Sequence, residues 1–144
     1  MQDKILFVCR GNVARSQIAM ELFNKFTGLD ADSAGTKVDD KENEMIKEIP
    51  PAEVIIRLMK KEGVDVSENK RHQLTPEMVE KFDKIIVMAE PETFPDYLKN
   101  SPKMEYWKVE DPNGMNDADT AKIVSQIKSK VLKFIEENFS TSSK

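Results

Sequence analysis

The chain has 144 residues and a mass of 16.5 kDa, room for one domain with a single substantial core. Its 39% apolar and 33% charged residues describe a globular protein rather than a disordered one. A formal net charge of −4, spread along the sequence, argues against general affinity for nucleic acid or anionic membrane, so any bound anion must be held by a local arrangement.

In chain order, "KILFVC" (Lys4 to Cys9) is a short apolar run that reads as a buried parallel strand. Ile18, Ala19, Leu22, Phe23 and Phe26 then recur at helical spacing, which predicts a helix from about Arg15 to Phe26 that ends at Gly28. "ADSAGT" (Ala31 to Thr36) is a short second strand. Pro50 and Pro51 precede a helix whose stripe is Val54, Ile55, Leu58 and Met59, closed by Gly63. Thr75 followed by Pro76 is a helix start, with the hydroxyl as cap. "DKIIVMA" (Asp83 to Ala89) is the best further core strand, and "MEYWKV" (Met104 to Val109) is another before the turn "EDPNG". Ile123, Ile127, Val131 and Phe134 or Ile135 line one face of a long closing helix. Strands alternating with helices predict a single-domain α/β fold, a doubly wound parallel sheet of about four strands with helices on both faces. The domain is expected over residues 1–139, with "STSSK" at 140–144 as a frayed tail.

A lone cysteine excludes an internal disulfide and a multi-cysteine zinc site. The apolar start is too short for a signal peptide and no stretch approaches membrane-spanning length, so the cytoplasm is the expected compartment. A monomer without cofactor or metal is expected.

Taken alone, Cys9 at a strand end is a small core residue. Its neighbours change that reading. Cys9 is followed by Arg10, Gly11, Asn12, Val13 and Ala14, then by Arg15 and Ser16 at the start of a helix. A loop entering a helix N-terminus offers unpaired N–H groups and a positive dipole to an anion. Gly11 and Asn12 tolerate the left-handed backbone that curls successive N–H groups inward. Arg15 can clamp phosphate oxygens with a two-pronged guanidinium. The same field favours the thiolate of Cys9, and Ser16 can donate a hydrogen bond to it. Phosphate would therefore rest on residues 10 to 16 with a nucleophile beneath it. Attack on a phosphate monoester also needs an acid for the departing oxygen. Glu110 and Asp111 are the candidates, although an aspartate before proline is by itself a turn residue. Both follow the last strand, where ligands of such sheets gather.

Cys9, Gly11, Asn12, Arg15 and Ser16 with Asp111-Pro112 late in the chain resemble the low-molecular-weight protein tyrosine phosphatase family. "DSAGT", the double proline, "GVDVS" and "FDKIIVMAEPE" fall where that family has comparable segments. The resemblance implies a metal-free, two-step hydrolysis of phosphotyrosine or another aryl phosphate. Cys9 forms a phosphocysteine, and Asp111, preferred on this ground over Glu110, serves as acid and then base. Asn12 braces the loop and Ser33 lies in the supporting shell.

The departures bear on specificity. Asn113 and Gly114 stand where the family has aromatic residues, so the aromatic wall is missing or built elsewhere, with Tyr97 and Tyr106 as candidates. Arg10 occupies a loop-mouth position often uncharged in the family and favours acidic substrates. Ala14 replaces a second cysteine of many members, so oxidised Cys9 depends on an outside thiol. His72 sits in a polar connector and is expected to be exposed; the family's structural histidine aligns with Asn69. Trp107 and "RSQIA" lean towards related arsenate reductases, a reading that survives here only with an external thiol or glutaredoxin, and Trp107 is otherwise a core residue. A non-catalytic phosphate-binding module is a third reading. It would need neither Cys9 nor Asp111.

Overall fold

The computed structural model describes residues 3–139, and the tail expected at 140–144 lies outside them. The elements run β1 (Ile5–Cys9), α1 (Arg15–Thr27), β2 (Asp32–Gly35), α2 (Glu53–Lys61), α3 (Pro76–Lys81), β3 (Lys84–Val87), α4 (Asp96–Lys99), β4 (Met104–Tyr106) and α5 (Asp117–Phe139). The four strands form one sheet in the order β2-β1-β3-β4 with every pairing parallel. Among the described residues no helix is long and apolar enough to cross a membrane.

β1 is central and buried along its whole length, and its side chains alternate between two cores. Ile5, Phe7 and Cys9 join α1, α2 and α5 on one face; Leu6 and Val8 join α3 and α4 on the other. An aromatic cluster fills the first face. Phe7 lies 5.7 Å from Phe23 and 6.2 Å from Trp107, and Phe134 of α5 lies 6.1 Å and 5.9 Å from the same two rings. Trp107 is therefore a core residue.

Local signals explain the element ends. Gly28 takes φ 74° and its N–H donates to the Asn24 carbonyl, a left-handed stop for α1. Thr75 Oγ1 accepts from the Met78 N–H, and Pro76 opens α3. β4 ends three residues before Val109, because only Met104 to Tyr106 pair with β3, although the Trp107 N–H still donates to Val87. α4 was not expected. Its four residues are too few to show a helical stripe.

The strand order sets the location of the site. From β1 the chain winds one way to β2 and later returns to β3 on the other side, so the loops leaving β1 and β3 part at their carboxyl ends. The polar stretch "ENKRHQL" does more than connect helices. Gln73 bridges Gly35 in parallel, the Gly35 N–H donates to His72, and the Leu74 N–H donates to Gly35. The end of β2 lies against the loop after β1 so tightly that a Cβ on Gly35 would sit 2.6 Å from the Arg10 carbonyl oxygen and 3.0 Å from the Asn12 nitrogen.

Phe134→Ala is expected to lose about 3–5 kcal/mol, read as a lower urea midpoint at unchanged slope. Gly35→Ala is expected to cost roughly 1–3 kcal/mol through backbone displacement. Because that displacement falls on the loop, it should also weaken inhibition by vanadate in a phosphatase assay.

Candidate active site

Cys9 ends β1, and the chain then turns through Asn12 at φ 56°. Of the two residues expected to take the left-handed conformation only Asn12 does; Gly11 lies outside it. An asparagine tolerates this backbone when its amide has partners. Here the amide is wholly buried and wholly used. Oδ1 accepts from the His72 N–H at 2.8 Å, and Nδ2 donates to Ser16 Oγ at 2.7 Å and Ser33 Oγ at 3.0 Å. The Asn12 carbonyl accepts from Gln17 Nε2, which Asn69 braces in turn through Gln17 Oε1. Asn69 thus steadies the loop through Gln17.

Two groups meet the sulfur of Cys9. The Asn12 N–H donates to Sγ at 3.3 Å and the Ser16 hydroxyl lies 3.0 Å away. Asn12 Nδ2 can only donate, so Ser16 Oγ accepts from it and has its own hydrogen free for the sulfur. Both contacts stabilise negative charge on Sγ. α1 begins beside them with Ala14 as cap, no capping side chain and no acidic residue in its first turn. Among the described residues the N–H groups of Val13, Ala14, Arg15 and Ser16 have no protein acceptor, which leaves the helix end open to an anion.

Arg15 is 2% exposed and tied to the segments that follow two strands, β3 and β4. Nη1 donates to the carbonyl oxygens of Met88 at 2.5 Å and Val109 at 3.0 Å, and to Glu90 Oε2 at 3.0 Å. Nη2 lies 3.4 Å from Glu90 Oε1 and 3.7 Å from Asp111 Oδ2. Burial by itself would loosen the proton of Arg15. The charge of Cys9, the hydrogen bond and charge of Glu90, and the charge of Asp111 outweigh it, so the guanidinium is held more firmly protonated than usual. For Glu90 burial likewise opposes ionisation, and the hydrogen bond from Arg15, with that residue's and Arg10's charges, brings its carboxyl below the ordinary range. Glu90 went unassigned in the sequence although its position was informative: a carboxylate just past a core strand, at the sheet's switch point.

These groups border a cavity of about 310 Å³. Its floor is Cys9, Arg10, Gly11, Val13, Ala14 and Arg15, and one side is Asp111, Pro112 and Asn113. Asn12 and Ser16, expected against the substrate, stand behind the floor and are fully buried. They act through the loop. Asp111 is exposed, with Oδ1 accepting from the Asn113 N–H, whereas Glu110 is not on the cavity.

Neither tyrosine supplies an aromatic wall. Tyr97 packs on the opposite face of the sheet with its hydroxyl donating to Leu74, and Tyr106 stacks edge-on against Phe94. Tyr97 is held by the second core, Tyr106 lies 43% exposed beside Phe94, and neither lines the cavity. The facing wall is aliphatic instead, built by Ile49, Pro51 and Ala52 and by Val54 and Ile55 of α2. His72 contributes its backbone, while its half-exposed imidazole lies 3.8 Å from Glu42. Arg71, unremarked in the sequence, donates through Nε to the Gly11 carbonyl at 2.9 Å and pairs with Glu44 at 2.7 Å.

Comparison with known proteins follows the same outline. Over 90 residues the chain is 32% identical to the probable low molecular weight protein-tyrosine-phosphatase EpsP of Ralstonia solanacearum, a match that spans 62% of this chain and 57% of that protein. The matched part is thus less than two thirds of the relative's length. The low molecular weight protein tyrosine phosphatase from T. tengcongensis superposes with a TM-score of 0.78 at 26% identity, covering 94% of this chain and 99% of that one. Wzb of Vibrio vulnificus, solved with benzylphosphonate, shares the fold with a TM-score of 0.80 at 21% identity, covering 94% and 98%. A sequence profile described as low molecular weight phosphotyrosine protein phosphatase matches residues 4–142. The chain therefore belongs to the low molecular weight phosphotyrosine protein phosphatase family.

Proposed function

We propose that the protein is a cysteine-dependent phosphatase that hydrolyses phosphotyrosine or other aryl phosphate monoesters through a phosphocysteine. The observation that carries this reading is one cavity bordered at once by Cys9, Arg15 and Asp111, with unpaired helix N–H groups beside the sulfur.

Each group has a separable part. The phosphoryl oxygens rest on the N–H groups of Val13, Ala14 and Arg15 and on the outer edge of the Arg15 guanidinium. Nη1 is committed to Met88, Val109 and Glu90, so the guanidinium keeps its orientation as charge builds on the phosphorus oxygens. Cys9 Sγ attacks phosphorus while the P–O bond to the aryl group breaks, and Asp111 delivers its proton to the departing oxygen. Asp111, now a carboxylate, takes a proton from water. The resulting hydroxide equivalent displaces the thiolate, releases inorganic phosphate and restores both residues. The Ser16 hydroxyl, oriented by Asn12, receives the leaving sulfur charge in this second step.

The reading supplies every group this cycle needs from the chain itself, which a binding module would not require. The arsenate reductase reading loses one of its two cues, since Trp107 belongs to the core.

Hydrolysis of p-nitrophenyl phosphate is expected in the presence of a metal chelator and to fall to background in Cys9→Ser. Turnover that survives that substitution would overturn the assignment. Asp111→Asn is expected to slow aryl phosphates with poor leaving groups by about 10²–10⁴-fold and to affect nitrophenolate release far less. An equal loss on both would remove Asp111 from the acid role.

A further inference from the structure

Four cations border the cavity, and they are not alike. Arg15 is paired with Glu90, and Arg71 with Glu44. Arg10 and Lys37 also line it, both are exposed, and among the described residues neither is within salt-bridge distance of a carboxylate. The Lys37 N–H donates to the Arg10 carbonyl at 2.9 Å, just after the Thr36 N–H donates to Cys9. The β1–β2 ladder thus continues past the nucleophile and sets these two residues side by side at the cavity mouth.

The phosphoryl group does not need them. Its oxygens are served by the helix N–H groups and Arg15, which leaves two neighbouring cations without an ion pair among the described residues, the charge of Arg10 reaching Glu90 only from beyond that distance, on a chain whose net charge is −4. The aliphatic wall adds a second reason to look beyond the phosphate. Without an aromatic ring to stack on the substrate's ring, the contacts that distinguish one substrate from another must come from groups flanking it.

Building on the phosphatase reading, we propose that Arg10 and Lys37 form an anion subsite that takes the carboxylate of an acidic residue flanking phosphotyrosine. The preferred substrate class is an acidic phosphotyrosyl segment of a protein. The same chemistry would also hold a second phosphate on a small aryl bisphosphate, so the test carries both.

The experiment compares kcat/KM on phosphotyrosyl peptides with Glu, Ala or Lys flanks, and on an aryl bisphosphate against its monophosphate. The enzymes are the parent, Arg10→Gln, Lys37→Gln and a double variant with Arg10→Gln and Lys37→Glu. The expected result is an acidic-over-neutral preference of about three- to tenfold, carried in KM and shrinking as salt rises. Each single variant reduces that ratio and the double variant erases or reverses it. Peptide affinities for Cys9→Ser, read by fluorescence anisotropy, measure the same ratio without turnover. If the parent hydrolyses p-nitrophenyl phosphate yet treats the peptides alike, the subsite fails and the phosphatase reading stands. If nothing is hydrolysed but Cys9→Ser binds acidic phosphopeptides more tightly through Arg10 and Lys37, the reverse holds. A preference untouched by the substitutions overturns the proposal, as does one for the bisphosphate alone.

Discussion

Asn12 holds the anion-binding loop in shape. A left-handed asparagine is disfavoured by roughly 1–2 kcal/mol against an ordinary backbone, and the chain accepts it because the amide meets three partners and the carbonyl a fourth. Removing that amide would leave the part-buried His72 N–H and the buried Ser33 hydroxyl without this partner, each at about 1–3 kcal/mol. The same side chain decides which way the Ser16 hydrogen points. Loop geometry and the electrostatics of the sulfur are therefore one constraint, set by a residue that never reaches the cavity.

Around that loop an acidic protein builds a positive pocket. The overall charge works against anion capture, and orientation does the rest: an uncapped helix start, a buried guanidinium and two surface cations converge on one spot. The buried pair of Arg15 with Glu90 is better understood as an alignment device than as a source of stability, since desolvation of such a pair offsets much of its attraction. Glu90 and two carbonyl oxygens fix the guanidinium in place, with Asp111 Oδ2 3.7 Å from Nη2.

What the sequence disclosed and what it withheld divide along a physical line. β1, α1 and α5 were readable because their apolar periodicity is strong and uninterrupted, and the loop was readable because Cys9, Arg15 and Ser16 are chemically unusual at a strand-to-helix junction. α4 is too short to have a period. The aliphatic wall could not be inferred from the absent aromatics, because which segment faces a cavity is a tertiary fact; Tyr97 and Tyr106 were equally plausible in sequence and neither faces it. "ENKRHQL" looked like a connector because its structural work is done by backbone groups, which leave no side-chain signature. Ser33 and Asn12, by contrast, meet across 21 positions as the family resemblance implied.

The anchoring of Arg15 spans most of the chain. Its partners Met88 and Val109 are separated from it by 73 and 94 positions, yet Arg15 itself belongs to the first element after the first strand. On a ribosome the sulfur emerges long before the carbonyls that fix its neighbouring guanidinium. The arrangement around the sulfur is therefore a property of the completed fold, absent from an unfinished or unravelled chain.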